Sequence, residues 1–207
     1  MKVLILTNPE YQEFVVETAH GRTNERTMFY WGGEYPFPLA NDYDIGISFM
    51  YQYKVPAEEV NSHTWFNFHP APLPEYKGRN LCYHAIMNGE KEFGATVHYM
   101  DENFDTGDII DCFKFKILES DTAETLSEFS IKSCKAQFQT YLPRILNGEV
   151  FSTTKNVGGT YYKKSQIMDT IHLKPDEPFA QFVRAVTYKE FCPKIVIGGV
   201  TYKVVRE

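Results

Sequence analysis

The chain of 207 residues is long enough for one domain that buries about 70% of its unfolded surface, so no metal or disulfide staple is required. A formal net charge of -6 argues against a nucleic-acid partner, because phosphate backbones are gripped by clustered Lys and Arg. Four scattered cysteines (Cys82, Cys112, Cys134, Cys192) without a CxxC pair read as buried thiols of a reducing, cytoplasmic compartment; no metal is expected, and no apolar run reaches the length of a signal peptide or membrane span.

Short apolar runs alternate with helical patterns, which predicts an α/β fold on a mostly parallel, twisted sheet with flanking helices. Val3 to Leu6, Thr27 to Trp31, Asp44 to Met50 and Trp65 to Phe68 read as the first four strands, with a short helix near Glu10 to His20. Asn80 to Asn88 reads as a helix closed by Gly89, followed by strands over Ala95 to Met100 and Ile109 to Ile117. Asp121 to Asn147 is the longest predicted helix: Asp121 with Glu124 resembles a capping box, and Leu126, Phe129, Cys134, Phe138, Leu142 and Ile145 keep helical spacing. Beyond residue 150 the pattern changes to a loop and strand at NVGGTYY, an amphipathic helix from Asp176 to Thr187 with Phe179, Phe182, Val183 and Val186 inward, and a hairpin from Ile195 to Val205 turning at Gly198-Gly199. A catalytic domain at 1–150 and a small C-terminal extension at 151–207 follow from that change.

Two stretches carry chemistry. In WFNFHPAPLP, Asn67 and His69 stand two apart in a strand, so an amide and an imidazole project side by side at its C-terminal end, where open α/β sheets bind ligands. The prolines that follow cannot continue a strand or helix and hold the imidazole beside a stiff loop. In DENFDTGD (101–108), the carboxylates can bind a cation, orient a histidine, or make Asx turns. Asp105 follows His69 by one helix and one strand, a crossover that returns the chain to the same sheet edge and lets the three side chains meet. GxGxxG, GxxxxGK[ST], GxSxG and the HxE with PCxxC pattern are all missing, which speaks against dinucleotide, P-loop, serine-hydrolase and zinc-deaminase chemistry.

NFHPAPLPEYKGRN with NGEKEFGATVHYMDENFDTGDII closely resembles the 10-formyl-tetrahydrofolate-dependent formyltransferases, whose pattern is Asn-x-His, Leu-Pro, a Gly-bearing turn, Gly-x-(Ser/Thr) and Asp-x-Gly. The resemblance implies a Rossmann-like formyltransferase fold, a catalytic trio of Asn67, His69 and Asp105, and a candidate cis bond at Leu73-Pro74. It implies 10-formyl-tetrahydrofolate as cosubstrate, its pterin held by Phe49, Met50 and Tyr51 on one side and closed by residues 102 to 106 on the other, with Asp101, Asn103 and Phe104 as further cofactor contacts. A primary amine would attack the formyl carbon, with His69 acting either as oxyanion donor or as proton acceptor.

Among these enzymes, the initiator-tRNA formyltransferases normally add a basic C-terminal domain, for which this acidic chain leaves no room. The glycinamide ribonucleotide enzymes use a glycine-rich phosphate loop where TNPEYQ stands here. YKGRN, GTYYKK, RAVTY and IVIGGVTYKV are similar to sugar N-formyltransferases acting on nucleotide-linked (dTDP-type) amino sugars, which places the enzyme in surface-polysaccharide (O-antigen) precursor synthesis. Lys77, Gly78, Arg79 and Asn80, with Tyr161, Tyr162 and the adjacent Lys163 and Lys164, are then the expected substrate contacts, cations for a pyrophosphate and aromatic faces for a base. The similar sugar enzymes also suggest that the C-terminal extension forms a homodimer surface. Phosphoribosylglycinamide formyltransferase and formyl-tetrahydrofolate hydrolase are the alternative readings.

Overall fold

A computed structural model describes residues 2–22, 27–32, 43–167, 170–171, 178–189, 194–197 and 199–203. Strand β1 (Val3–Thr7), helix α1 (Gln12–Ala19), strands β2 (Thr27–Trp31) and β3 (Ile45–Phe49), helix α2 (Ala57–Ser62) and strand β4 (Thr64–His69) make the first half. Then come β5 (Tyr76–Gly78), α3 (Leu81–Met87), β6 (Glu92–Tyr99), β7 (Ile109–Lys116) and α4 (Ala123–Leu146). The C-terminal part holds β8 (Thr160–Tyr162), β9 (Thr170–Ile171), α5 (Phe179–Val186), β10 (Lys194–Ile197) and β11 (Val200–Lys203).

The main sheet runs in the order β2-β1-β3-β4-β6-β7. Its first four strands are parallel, as buried runs such as VLILT favour; β6 runs antiparallel to β4, and β7 antiparallel to β6. Because β1 pairs with β2 on one side and β3 on the other, the order reverses between β1 and β3, and a crevice opens beyond their C-terminal ends. Alternation along the strands assigns the faces. Val3, Ile5, Ile47, Phe49, Phe66 and Phe68 pack with α1 and with Cys134, Phe138, Leu142 and Ile145 of α4. Leu4, Leu6 and Trp65 face the other way, against Val55 and Val60 around α2. Asn67 and His69, in phase with Trp65, therefore point away from α4.

Several expectations are corrected. The helix after β4 does not return the chain parallel to it: β6 pairs antiparallel, with Phe66 opposite Tyr99 and His69 opposite Thr96. The acidic loop thus leaves the sheet at the end where β4 begins and folds back over its face. The capping box of α4 is Thr122 with Thr125, since the helix starts at Ala123; Asp121 instead accepts the Leu118 N–H at 2.7 Å. Phe129 and Phe179 point outward, at 48% and 58% exposure, because each falls at the rim of its helix's buried stripe; Phe129 packs edge-on against Phe115 of β7 instead. The two strands of the C-terminal hairpin are antiparallel as expected, whereas Cys192, Gly198, the start of the expected helix at Asp176 and the hairpin end at Val205 lie outside the described residues. No helix among the described residues is long and apolar enough to cross a membrane.

Phe138 has no exposed surface and its ring lies 4.8 Å from that of Phe49 and 5.2 Å from that of Phe68. Phe138→Ala should cost about 3 to 5 kcal/mol of unfolding free energy, read from urea denaturation midpoints, because the Phe49 and Phe68 rings belong to strands and cannot collapse into the cavity.

Candidate active site

A cavity of about 580 Å³ opens at the crevice, lined by Asn8 after β1, Met50 after β3, and Asn67 and His69 at the end of β4. The loop after His69 is nailed down before it can wander. Thr96 of β6 donates its hydroxyl to the Ala71 carbonyl at 2.7 Å and accepts the Leu73 N–H at 3.0 Å, and Leu73-Pro74 is cis. This path delivers the Tyr76 carbonyl to His69, whose Nε2–H it accepts at 2.8 Å. The other ring nitrogen, Nδ1, faces Asp105 Oδ1 at 3.3 Å, and both side chains are at least nine-tenths buried.

Asp105 reaches this position at a left-handed backbone angle, φ 58°. Its second oxygen, Oδ2, accepts the Gly78 N–H at 2.9 Å. The loop around it is closed by Asp101, which accepts the Asn103 N–H at 3.0 Å and the Thr106 hydroxyl at 2.5 Å. Gly107 presses onto β6 so closely that a Cβ there would lie 1.9 Å from the Tyr99 carbonyl oxygen, so no other residue fits without moving the loop.

Asn67 is oriented by a residue that the sequence reading did not single out. His98 of β6 stands opposite Asn67 in the sheet register and is 1% exposed. Its Nδ1–H donates to the Tyr99 carbonyl at 2.6 Å, which leaves Nε2 as an acceptor for the Asn67 amide at 3.0 Å. Asp105 Oδ1 lies 3.9 Å from the same Nε2. Burial outweighs that nearby carboxylate and pushes the His98 imidazole down to about 4, so it is neutral at neutral pH and one amide hydrogen of Asn67 remains for the cavity.

The remaining expected residues divide. Met50, Tyr51, Asp101, Asn103, Phe104, Gly78, Arg79, Asn80 and Tyr161 all line the cavity, as do Gln52, Lys54 and Lys164. The Arg79 guanidinium bonds the Gln52 carbonyl and ties the 50–54 loop to the start of α3. Three residues do not present their side chains there. The Phe49 ring is fully buried against α1 and α4, because the strand's alternation turns it inward. Lys77 is buried, and its ammonium donates to the Gly158 carbonyl at 2.7 Å. The Tyr162 ring is stacked on Tyr76 and His84, with centroids 5.5 and 4.0 Å away, since it alternates with the outward Tyr161.

The depressed His98 has a consequence for stability. Between its folded value of about 4 and its ordinary 6.5, the unfolded chain binds a proton there that the folded chain refuses, so stability falls as pH drops through that window. Half-buried His84, also pushed down to about 4 by burial, acts in the same direction. His98→Asn should remove its share of the slope, up to about 1.4 kcal/mol per pH unit; denaturation midpoints taken between about pH 7 and about pH 4 check this.

Residues 50–140 match the family model of the formyl transferases. GDP-perosamine N-formyltransferase of Brucella melitensis is 29% identical over 174 residues, which span 82% of this chain and 67% of that one. Among solved structures, a 4-N formyltransferase from Francisella tularensis superposes with a TM-score of 0.85 at 20% identity, over 100% of this chain and 97% of that one. An N-formyltransferase from Helicobacter canadensis, solved in complex with folinic acid and dTDP-3-aminofucose, superposes with a TM-score of 0.76 at 21% identity, over 96% and 85% of the two chains. Asn67, His69, His98 and Asp105 all fall inside the matched segment, the part of the chain that is similar to the formyl transferases.

Proposed function

We propose that the protein transfers a formyl group from 10-formyl-tetrahydrofolate to the primary amine of a nucleotide-linked amino sugar. The observation that carries this reading is the convergence, at one end of a cavity of about 580 Å³, of a free amide hydrogen and an imidazole–carboxylate pair. The likeness to GDP-perosamine N-formyltransferase over 82% of the chain supports the choice of acceptor, as does the acidic net charge of -6. In this reading the pterin lies between the backbone at Met50 and Tyr51 and the loop bearing Asp101, Asn103 and Phe104. The nucleotide sugar meets Gly78, Arg79, Asn80 and Tyr161, with Lys164 beside them. The catalytic part spans 1–150 and the extension 151–207.

The chemistry moves one proton. The acceptor nitrogen attacks the formyl carbon, the C–N10 bond breaks, and the amine proton ends on N10 of tetrahydrofolate. As the carbon becomes tetrahedral, negative charge grows on the formyl oxygen, and the Asn67 amide hydrogen not used by His98 stabilises it. His69 has spent Nε2–H on Tyr76, so only Nδ1 can take part. Nδ1 and Asp105 Oδ1 both present lone pairs to one another, and a proton between them satisfies both. The pair can therefore take the proton that the attacking amine loses and hand it to the leaving nitrogen.

The test is incubation with 10-formyl-tetrahydrofolate and a panel of GDP-, dTDP- and UDP-linked amino sugars plus glycinamide ribonucleotide, with mass detection of the formylated product. Formylation of glycinamide ribonucleotide alone overturns the acceptor, and release of formate without any acceptor indicates a hydrolase. Asn67→Ala should lower kcat by a factor of about 10² to 10³ with the KM for the folate little changed, because the lost hydrogen bond matters only once the oxyanion forms.

A further inference from the structure

We propose that Asn156, which lies outside the segment matching the formyl transferase model, is a positioning residue that sets the Asp105 carboxylate against His69. The inference rests on the reading of Asp105 as part of the reacting centre. Asn156 is 9% exposed, and its amide nitrogen donates to the Asp105 carbonyl at 2.9 Å and to the Gly107 carbonyl at 3.0 Å. Both amide hydrogens are thus spent on the backbone of the acidic loop, one on Asp105 itself. That loop needs an outside hold. Asp105 sits in the left-handed region, which a residue carrying a Cβ holds only where its surroundings impose it.

The bracing segment is itself fastened at both ends. Two residues before Asn156, Thr154 exchanges backbone hydrogen bonds with Ile109, each 2.8 Å, at the point where the acidic loop enters β7. Two residues after it, the Gly158 carbonyl takes the buried Lys77 ammonium at 2.7 Å. Gly159 then wedges against the loop that follows His69: its φ is 76°, and a Cβ would lie 1.6 Å from the Pro74 carbonyl oxygen. The Thr160 N–H reaches the Glu75 carbonyl at 3.0 Å, and β8 pairs with β5. One strap therefore joins the loop that presents Tyr76 to His69 with the loop that carries Asp105. In it Lys77 is a fastening rather than a phosphate ligand.

An asparagine amide suits this position because two neighbouring carbonyls need two hydrogens and no charge. An alanine would leave both without their buried donor. A shift of the carboxylate by about 1 Å is enough to cost about 10²-fold in rate, so a modest loosening should register in kcat.

The experiment is a double-mutant cycle of Asn156→Ala and Asp105→Asn, with kcat and KM for both substrates, and hydrogen exchange of the Gly78 amide, which donates to Asp105 Oδ2. We expect Asn156→Ala to lower kcat by about tenfold or more with KM within about twofold, and to cost little further once Asp105 is already Asn. The Gly78 amide should exchange faster by more than the fall in the thermal midpoint accounts for. Lys77→Met, which releases the other end of the strap, should move both readouts in the same direction and stands in if Asn156→Ala does not fold. Wild-type kcat and Gly78 exchange in the variants, or equal losses in both Asp105 backgrounds, overturn the proposal. If the wild-type enzyme formylates none of the offered amines, the functional reading fails instead, and Gly78 exchange alone then decides whether the strap holds the loop.

Discussion

The carboxylate of Asp105 is suspended between the imidazole of His69 and the backbone N–H of Gly78, and the rest of the site is built to keep it there. A charge that is nine-tenths buried is tolerable only when each oxygen has a partner. The three contributors come from β4, from the loop leaving β6, and from β5, so the contact exists only when the sheet and both loops are in place at once.

That dependence explains several features that would be unremarkable singly. The reversal of β6 relative to β4 puts His98 opposite Asn67 and starts the acidic loop at the far end of the strand. A loop that must fold back over the sheet needs a glycine where it presses on Tyr99, a left-handed residue at its tip, and an internal acceptor in Asp101. The proline-rich loop needs equally firm support, which Thr96 supplies from within the sheet. Rigidity is useful here because polarising a carbonyl demands donors already in position when charge appears.

Long elements and local patterns were legible from the chain. The buried runs of β1, β3 and β4 and the spacing along α4 are dictated by alternation and helical periodicity, and both survive any tertiary arrangement. Asn67 and His69 were visible for the same reason, two positions apart on one strand ahead of prolines. His98 was within reach of the same reasoning, since it alternates with Thr96 along β6, but only the register shows that it faces Asn67. Lys77 and Tyr162 look like ligand contacts by composition, but the Gly158 carbonyl takes the Lys77 ammonium and Tyr76 stacks on the Tyr162 ring.

What the amino-acid order alone determined was therefore the α/β character, the position of the amide–imidazole pair and the loop chemistry that lets an aspartate adopt a left-handed turn. These follow from the chemistry of neighbours along the chain. The tertiary structure decided the antiparallel course of β6, the neutral His98 beside Asn67, and the strap from Thr154 to Thr160 that reaches Asp105 through Asn156. Such contacts join residues tens of positions apart, and their energy appears only once burial has removed the competing water, so no local pattern announces them.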